Sequence, residues 1–107
     1  MNLSETACVE PKKGEAPLSA ARARELSAEL RGWMLEGDAL RKEFRLGSFR
    51  EAITFVNSVA DLAEAQGHHP DIFISYKTVR LTLATHKIGG LSLNDFIVAA
   101  KIDTISP

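Results

Sequence analysis

The stretch SFREAITFVNSVADLAEAQGHHPDIFISYKTVRLTLATHKIGG, from Ser48 to Gly90, decides the fold. Its first half predicts a helix from Phe49 to Gln66. Ser48 and Glu51 form a capping box, and Gly67 supplies a left-handed stop. Phe49, Ala52, Ile53, Val56, Ala60 and Ala63 make one apolar stripe, and Phe55, Val59 and Leu62 widen it beyond what one sheet contact requires. After Pro70 the apolar period shortens from helical to two. Ile72, Ile74 and Tyr76 alternate up to a turn near Lys77-Thr78, and Val79, Leu81 and Leu83 then alternate with Arg80, Thr82 and Ala84, which predicts a hairpin. By that parity His86 falls on the polar side.

The flanks extend the pattern. Upstream, Trp33 to Glu36, the turn Gly37-Asp38 and Ala39 to Leu46 predict a first hairpin, with Leu40, Lys42, Phe44 and Leu46 on one face. A lysine among apolar positions weakens that alternation. Before it, Ser19 is a plausible cap for a helix from Ala20 to Arg31, with Gly32 as its stop. Downstream, Gly89-Gly90 breaks the strand and Ser92 opens a helix carrying Leu93, Phe96, Ile97 and Ala100. The order is α-β-β-α-β-β-α, and paired strands between helices argue for an α+β fold: a four-stranded antiparallel sheet with helices packed on one face. Residues 1–18 show no apolar period and read as a flexible leader, leaving 19–107 as the domain.

The bulk properties exclude several classes. The 107 residues are 45% apolar with net charge -1, which provides no basic field for nucleic acid. No apolar run approaches the ~20 residues that span a bilayer. Cys8 is the only cysteine, so neither a disulfide framework nor a cysteine-based zinc site can be built within the chain. A cytoplasmic protein fits these features.

All three histidines, His68, His69 and His86, lie within nineteen positions. Histidine changes charge near neutral pH, so such a cluster points to proton transfer or to metal ligation. Three readings stand side by side for the residues taken alone: polar turn residues after a helix, a metal set of His68, His69, His86 and Glu64, and acid–base chemistry. Glu64, one turn before the pair, can orient an imidazole or be a solvated helix-end carboxylate. Asp95 can serve the site or cap the last helix through Ser92-x-x-Asp95. Pro70 and Tyr76 read as structural.

Glu64, His68-His69-Pro70, Tyr76, His86 and Asp95, seven positions over thirty-two residues, resemble the signature of the pterin-4a-carbinolamine dehydratases, also called the dimerization cofactor family of hepatocyte nuclear factor 1. The resemblance also runs through Trp33, Leu35-Glu36-Gly37, Phe44, Ser48-Phe49-Arg50, Leu81 to His86 and Gly90-Leu91-Ser92, about residues 19 to 103. It implies a hydro-lyase with no cofactor and no metal. Such an enzyme would dehydrate 4a-hydroxytetrahydrobiopterin, or a related 4a-hydroxytetrahydropterin, to quinonoid dihydropterin, recycling the pterin used by aromatic amino acid hydroxylases. The implied catalytic residues are His68, His69 and His86, with His68 and His86 as the proton-transfer pair. Glu64, Asp95 and Trp33 would bind substrate or support them. A homodimer or homotetramer is implied, and the extra apolar width of the Phe49–Gln66 helix needs a neighbour, either the terminal helices or a second subunit. Two alternatives accompany this reading: a non-enzymatic dimerization cofactor or transcriptional coactivator with a protein partner, and action on a molybdopterin-related pterin.

Overall fold

The computed structural model describes residues 2–105; Met1, Ser106 and Pro107, assigned above to the leader and the domain, lie outside the described residues. The chain forms α1 (Ala20–Ser27), β1 (Met34–Glu36), β2 (Ala39–Arg45), α2 (Phe49–Gln66), β3 (Asp71–Ser75), β4 (Thr78–Leu83) and α3 (Leu93–Ile105), with 3₁₀ turns at Leu3–Glu5 and His86–Ile88. The four strands make one antiparallel sheet in the order β1-β2-β4-β3. This is the expected α+β architecture. Strand β4 is central, and its Val79, Leu81 and Leu83 point into a core shared with Leu40 and Phe44 of β2 and with all three helices. The opposite face carries Glu43, Arg80 and Phe73 in register across three strands, with the Arg80 guanidinium 4.9 Å from the Phe73 ring centre.

Helix α2 begins and ends where its caps dictate. Ser48 Oγ accepts from the Glu51 amide at 3.1 Å, and Gly67 takes φ +66°. Its burial corrects the expectation about its apolar width. Phe55 and Val59 are core residues, Leu62 packs against that core, and Phe49 is 52% exposed. The second stripe therefore faces inward, where the Phe55 ring lies 4.8 Å from that of Phe44. It offers no surface for a second subunit.

Helix α1 stops at Ser27, short of the expected Arg31. The cause is competition for the Arg31 peptide: its amide donates to Asp103 Oδ2 at 3.2 Å and its carbonyl accepts from Lys42 Nζ. Lys42 also resolves the weak alternation of β2. Although on the core side, its ammonium reaches Asp103 Oδ1 at 2.8 Å, so the buried carboxylate lets a lysine occupy an apolar face. Tyr76, expected in the strand, instead forms the two-residue turn Tyr76-Lys77 with φ +53° and is 67% exposed.

Helix α3 is buried on nearly every side: besides Phe96 and Ile97, Val98, Ala99 and Ile102 are excluded from water. A helix apolar all round needs neighbours all round. The sheet and α2 cover one side, and the segment before α1 covers another, with Leu3 only 3% exposed and Lys101 Nζ donating to Ser4 O at 2.9 Å. Leu3 and Ser4 thus pack against the domain, while residues 12–17 are exposed. Among the described residues no helix is long and apolar enough to cross a membrane.

Candidate active site

Antiparallel pairing of β3 with β4 brings the histidines to one end of the sheet. Asp71 pairs with Thr82, so the residues just before β3 lie beside those just after β4. His68 and His69 precede β3, and His86 follows β4. The Gly37-Asp38 turn joins them, because Leu40 pairs with Leu83. Ser92 and the first turn of α3 complete the same end.

His68 is the best-held imidazole. Its Nε2 lies 2.5 Å from Asp95 Oδ1, and the side chains are 11% and 0% exposed. The other carboxylate oxygen, Oδ2, accepts from the Ser92 amide at 2.9 Å and from Thr85 Oγ1 at 2.8 Å. With the Thr85 proton committed to Asp95, Ser92 Oγ donates to Thr85 Oγ1 at 2.7 Å. A carboxylate oxygen accepts, so in this pair the His68 hydrogen sits on Nε2. Asp95 therefore combines both roles open to it: it is the capping partner of Ser92 and the partner of His68.

His69 pairs through Nε2 with Glu64 Oε2 one turn back on α2, and both side chains are more than half exposed. Glu64 is at once a helix-end carboxylate in water and an imidazole partner. In that setting the pair adds little stability. His86 opens the 3₁₀ turn and is exposed, lining a cleft of about 310 Å³ with Asp38, Ala84, Thr85 and Gly90. That volume is at the small end of the ~300–1,000 Å³ usual for small-molecule sites. A larger cleft, about 560 Å³ between Arg45, Phe55, Ser58 and Ile105, carries no histidine.

One expected member stands elsewhere. Trp33 is 7% exposed, edge-on to Phe44, and its Nε1 donates to Asp103 Oδ1 at 3.0 Å. Asp103 is eight residues beyond Asp95 on α3, about 12 Å along the axis, so Trp33 belongs to the core at the far end. The imidazoles also do not converge as a metal set: each of the adjacent pair has its own carboxylate, and among the described residues no three His, Cys, Asp or Glu side chains gather to hold an ion. The sequence reading named Ser92 as the capping partner of Asp95 but missed Thr85. Thr85 continues the inward parity of Val79, Leu81 and Leu83, and a polar residue at that position is the signal that marks it.

Comparison with known proteins agrees with this geometry. A relative from Rubrobacter xylanophilus, provisionally named a pterin-4-alpha-carbinolamine dehydratase, is 44% identical over 104 residues, covering 96% of this chain and 97% of its own. Another so named, from Roseiflexus castenholzii, is 51% identical over 90 residues, covering 84% of this chain and 97% of its own. The crystal structure of a transcriptional coactivator/pterin dehydratase from Brucella melitensis superposes with TM-score 0.81 at 31% identity, over 85% of this chain and 99% of that one. A pterin dehydratase-like RuBisCO assembly factor of the alpha-carboxysome superposes with TM-score 0.57 at 27% identity, over 72% of this chain and 88% of its own. The family model for pterin 4 alpha carbinolamine dehydratase matches residues 16–105, which include every histidine and carboxylate of the site, and the chain belongs to that hydro-lyase family.

Proposed function

We propose that this chain dehydrates a 4a-hydroxytetrahydropterin, with 4a-hydroxytetrahydrobiopterin as the leading substrate, to the quinonoid dihydropterin. The observation that carries the reading is the His68–Asp95 pair, nearly out of water at the end of the sheet where His69 and His86 also lie. The elimination needs two proton transfers. A protonated imidazole gives its proton to the 4a hydroxyl, which leaves as water, and a neutral imidazole takes the proton from N5 as the C4a–N5 double bond forms. His68, with Nε2 held by Asp95, exchanges protons through Nδ1; His86, at the open cleft, serves as the other member. His69, steadied by Glu64 at the rim, contributes to substrate binding. Trp33 has no part in the site. Such a reaction returns pterin to aromatic amino acid hydroxylation.

The test is direct. The 4a-hydroxytetrahydropterin is generated in solution, and its decay is followed with and without the protein. Catalysed dehydration that drops roughly 10²–10⁴-fold in His68→Ala and in His86→Ala, with native circular dichroism, supports the reading; near-wild-type turnover in both variants removes these residues from the mechanism. Exhaustive chelation is expected to leave the rate unchanged.

Self-association belongs to this proposal, as a homodimer or homotetramer. Strand β3 is an edge of the sheet, with Phe73 51% and Ile72 39% exposed. An unpaired apolar edge favours strand pairing with a second copy.

A further inference from the structure

The segment before α1 touches the domain at points that follow the site with unusual fidelity. The Cys8 amide donates to Gln66 Oε1 at 3.0 Å, two residues before His68. Asn94, next to Asp95, clasps the Val9 backbone on both sides: its Oδ1 accepts from Val9 N at 3.0 Å and its Nδ2 donates to Val9 O at 2.7 Å. Glu10 meets Lys87, next to His86, in an exposed ion pair. Leu18 N donates to Leu91 O at 2.9 Å, next to Ser92. Pro17 seats so closely on Gly90 that a Cβ there would lie 2.7 Å from Pro17 Cβ, and Gly90 lines the His86 cleft.

We infer that residues 8–18 are a positioning strap for the histidine site, latched by Asn94, which holds the end of α2, the turn after β4 and the start of α3 in fixed relation. Those three segments carry His68, His86 and Asp95 respectively. No single element of the fold spans them, whereas the strap bonds to each. The family model begins only at residue 16, whereas the Rubrobacter xylanophilus relative aligns over 96% of this chain, so the strap is common to a part of the family. Cys8 and Leu18 pack against the core at the two ends of the strap, and its polar anchors lie between and beside them. The Asn94 amide is the strongest of these anchors, since it satisfies both backbone polar groups of one residue in a part-buried setting. The Lys87–Glu10 pair is too exposed to hold the strap by itself. Asn94 acts through the strap and touches no reacting atom.

This inference rests on the dehydratase reading for its kinetic arm only. Strap release is read at Cys8, whose thiol burial pushes up to about 11. A thiol held at about 11 carries roughly 100-fold less thiolate at pH 7 than one at 9.0, so Asn94→Ala is expected to speed Cys8 alkylation by up to about 100-fold. In the same variant the ring nitrogen resonances of His68 and His86 are expected to shift. kcat is expected to fall roughly 10- to 100-fold with a smaller change in KM, as misplacement of reacting groups would produce. Faster alkylation with unchanged histidine resonances and unchanged kcat would overturn the inference, because the strap would be released at no cost to the site. So would unchanged alkylation in both Asn94→Ala and the Gln66→Ala/Asn94→Ala double variant, because Asn94 would then be no latch. If the unaltered chain proves inactive, the dehydratase reading fails alone and the histidine resonances decide the strap.

Discussion

Asp95 accepts three hydrogen bonds, from residues just after α2, just after β4 and just before α3, and no neutral isostere can do the same. Asp95→Asn places an NH₂ where a carboxylate oxygen met a donor, so either the Ser92 and Thr85 contacts are disrupted or His68 must switch tautomer and accept at Nε2. The expected outcome is a loss of about 1–3 kcal/mol in thermal or urea unfolding, together with a fall in dehydratase rate of roughly 10²–10⁴-fold from the disturbed His68 tautomer. Glu64→Gln makes the contrast. Its pair with His69 is exposed, so unfolding is expected to change by less than about 1 kcal/mol. Much of this was legible in the residues, because Ser92-x-x-Asp95 marks a cap and the spacing from Glu64 to Asp95 resembles a known signature. The pairing was not. Glu64 lies one turn from both histidines, and only the backbone path through Gly67 and Pro70 assigns it to His69 and leaves His68 for a carboxylate twenty-seven residues on.

The elements end where local chemistry ends them. Gly67 turns the chain out of α2 at φ +66° with open space around its missing Cβ, so Gly67→Ala pays only for the left-handed backbone. A loss of about 1–2 kcal/mol in unfolding free energy is expected, without a packing change. The α1–β1 junction obeys a longer-range rule. Asp103 satisfies Lys42, Trp33 Nε1 and the Arg31 amide together, and Asp103→Ala strands all three donors. Measured by urea unfolding, its cost is expected to reach roughly 3–5 kcal/mol, as for other broken buried pairs. Here the sequence misleads for a physical reason: the pattern of Ala20 to Arg31 is helical, yet a carboxylate some seventy positions later captures the last peptide of that helix. Trp33 was misplaced for the same reason. An indole that suits a pterin pocket also suits a buried carboxylate, and only the three-dimensional path of α3 separates them.

At the scale of the whole molecule, the edge of the sheet and the N-terminal segment are the features that periodicity could not show. Phe73→Lys puts a charge on the β3 edge, and sedimentation equilibrium is expected to shift from oligomer to monomer while circular dichroism stays native. A chain that is monomeric before substitution would remove the edge as an assembly surface. The segment also lends the fold a pH dependence. Cys8 sits at about 11, chiefly through burial, against an ordinary 9.0, so the folded chain keeps the thiol proton longer than the unfolded one. Stability from this group is intact below pH 9 and fades as pH rises toward 11; Cys8→Ala is expected to flatten that part of the profile. Residues 1–18 were read as a leader because they lack a repeating apolar period, and an extended strap needs none: Leu3, the Val9 peptide and Pro17 each find a partner supplied by α3 or its approach. Those partners lie as many as 97 positions later in the chain. On a ribosome adding ~5–20 residues per second, Val9 emerges roughly 4–17 s before the Asn94 that latches it, so the stretch made early is among the last to settle.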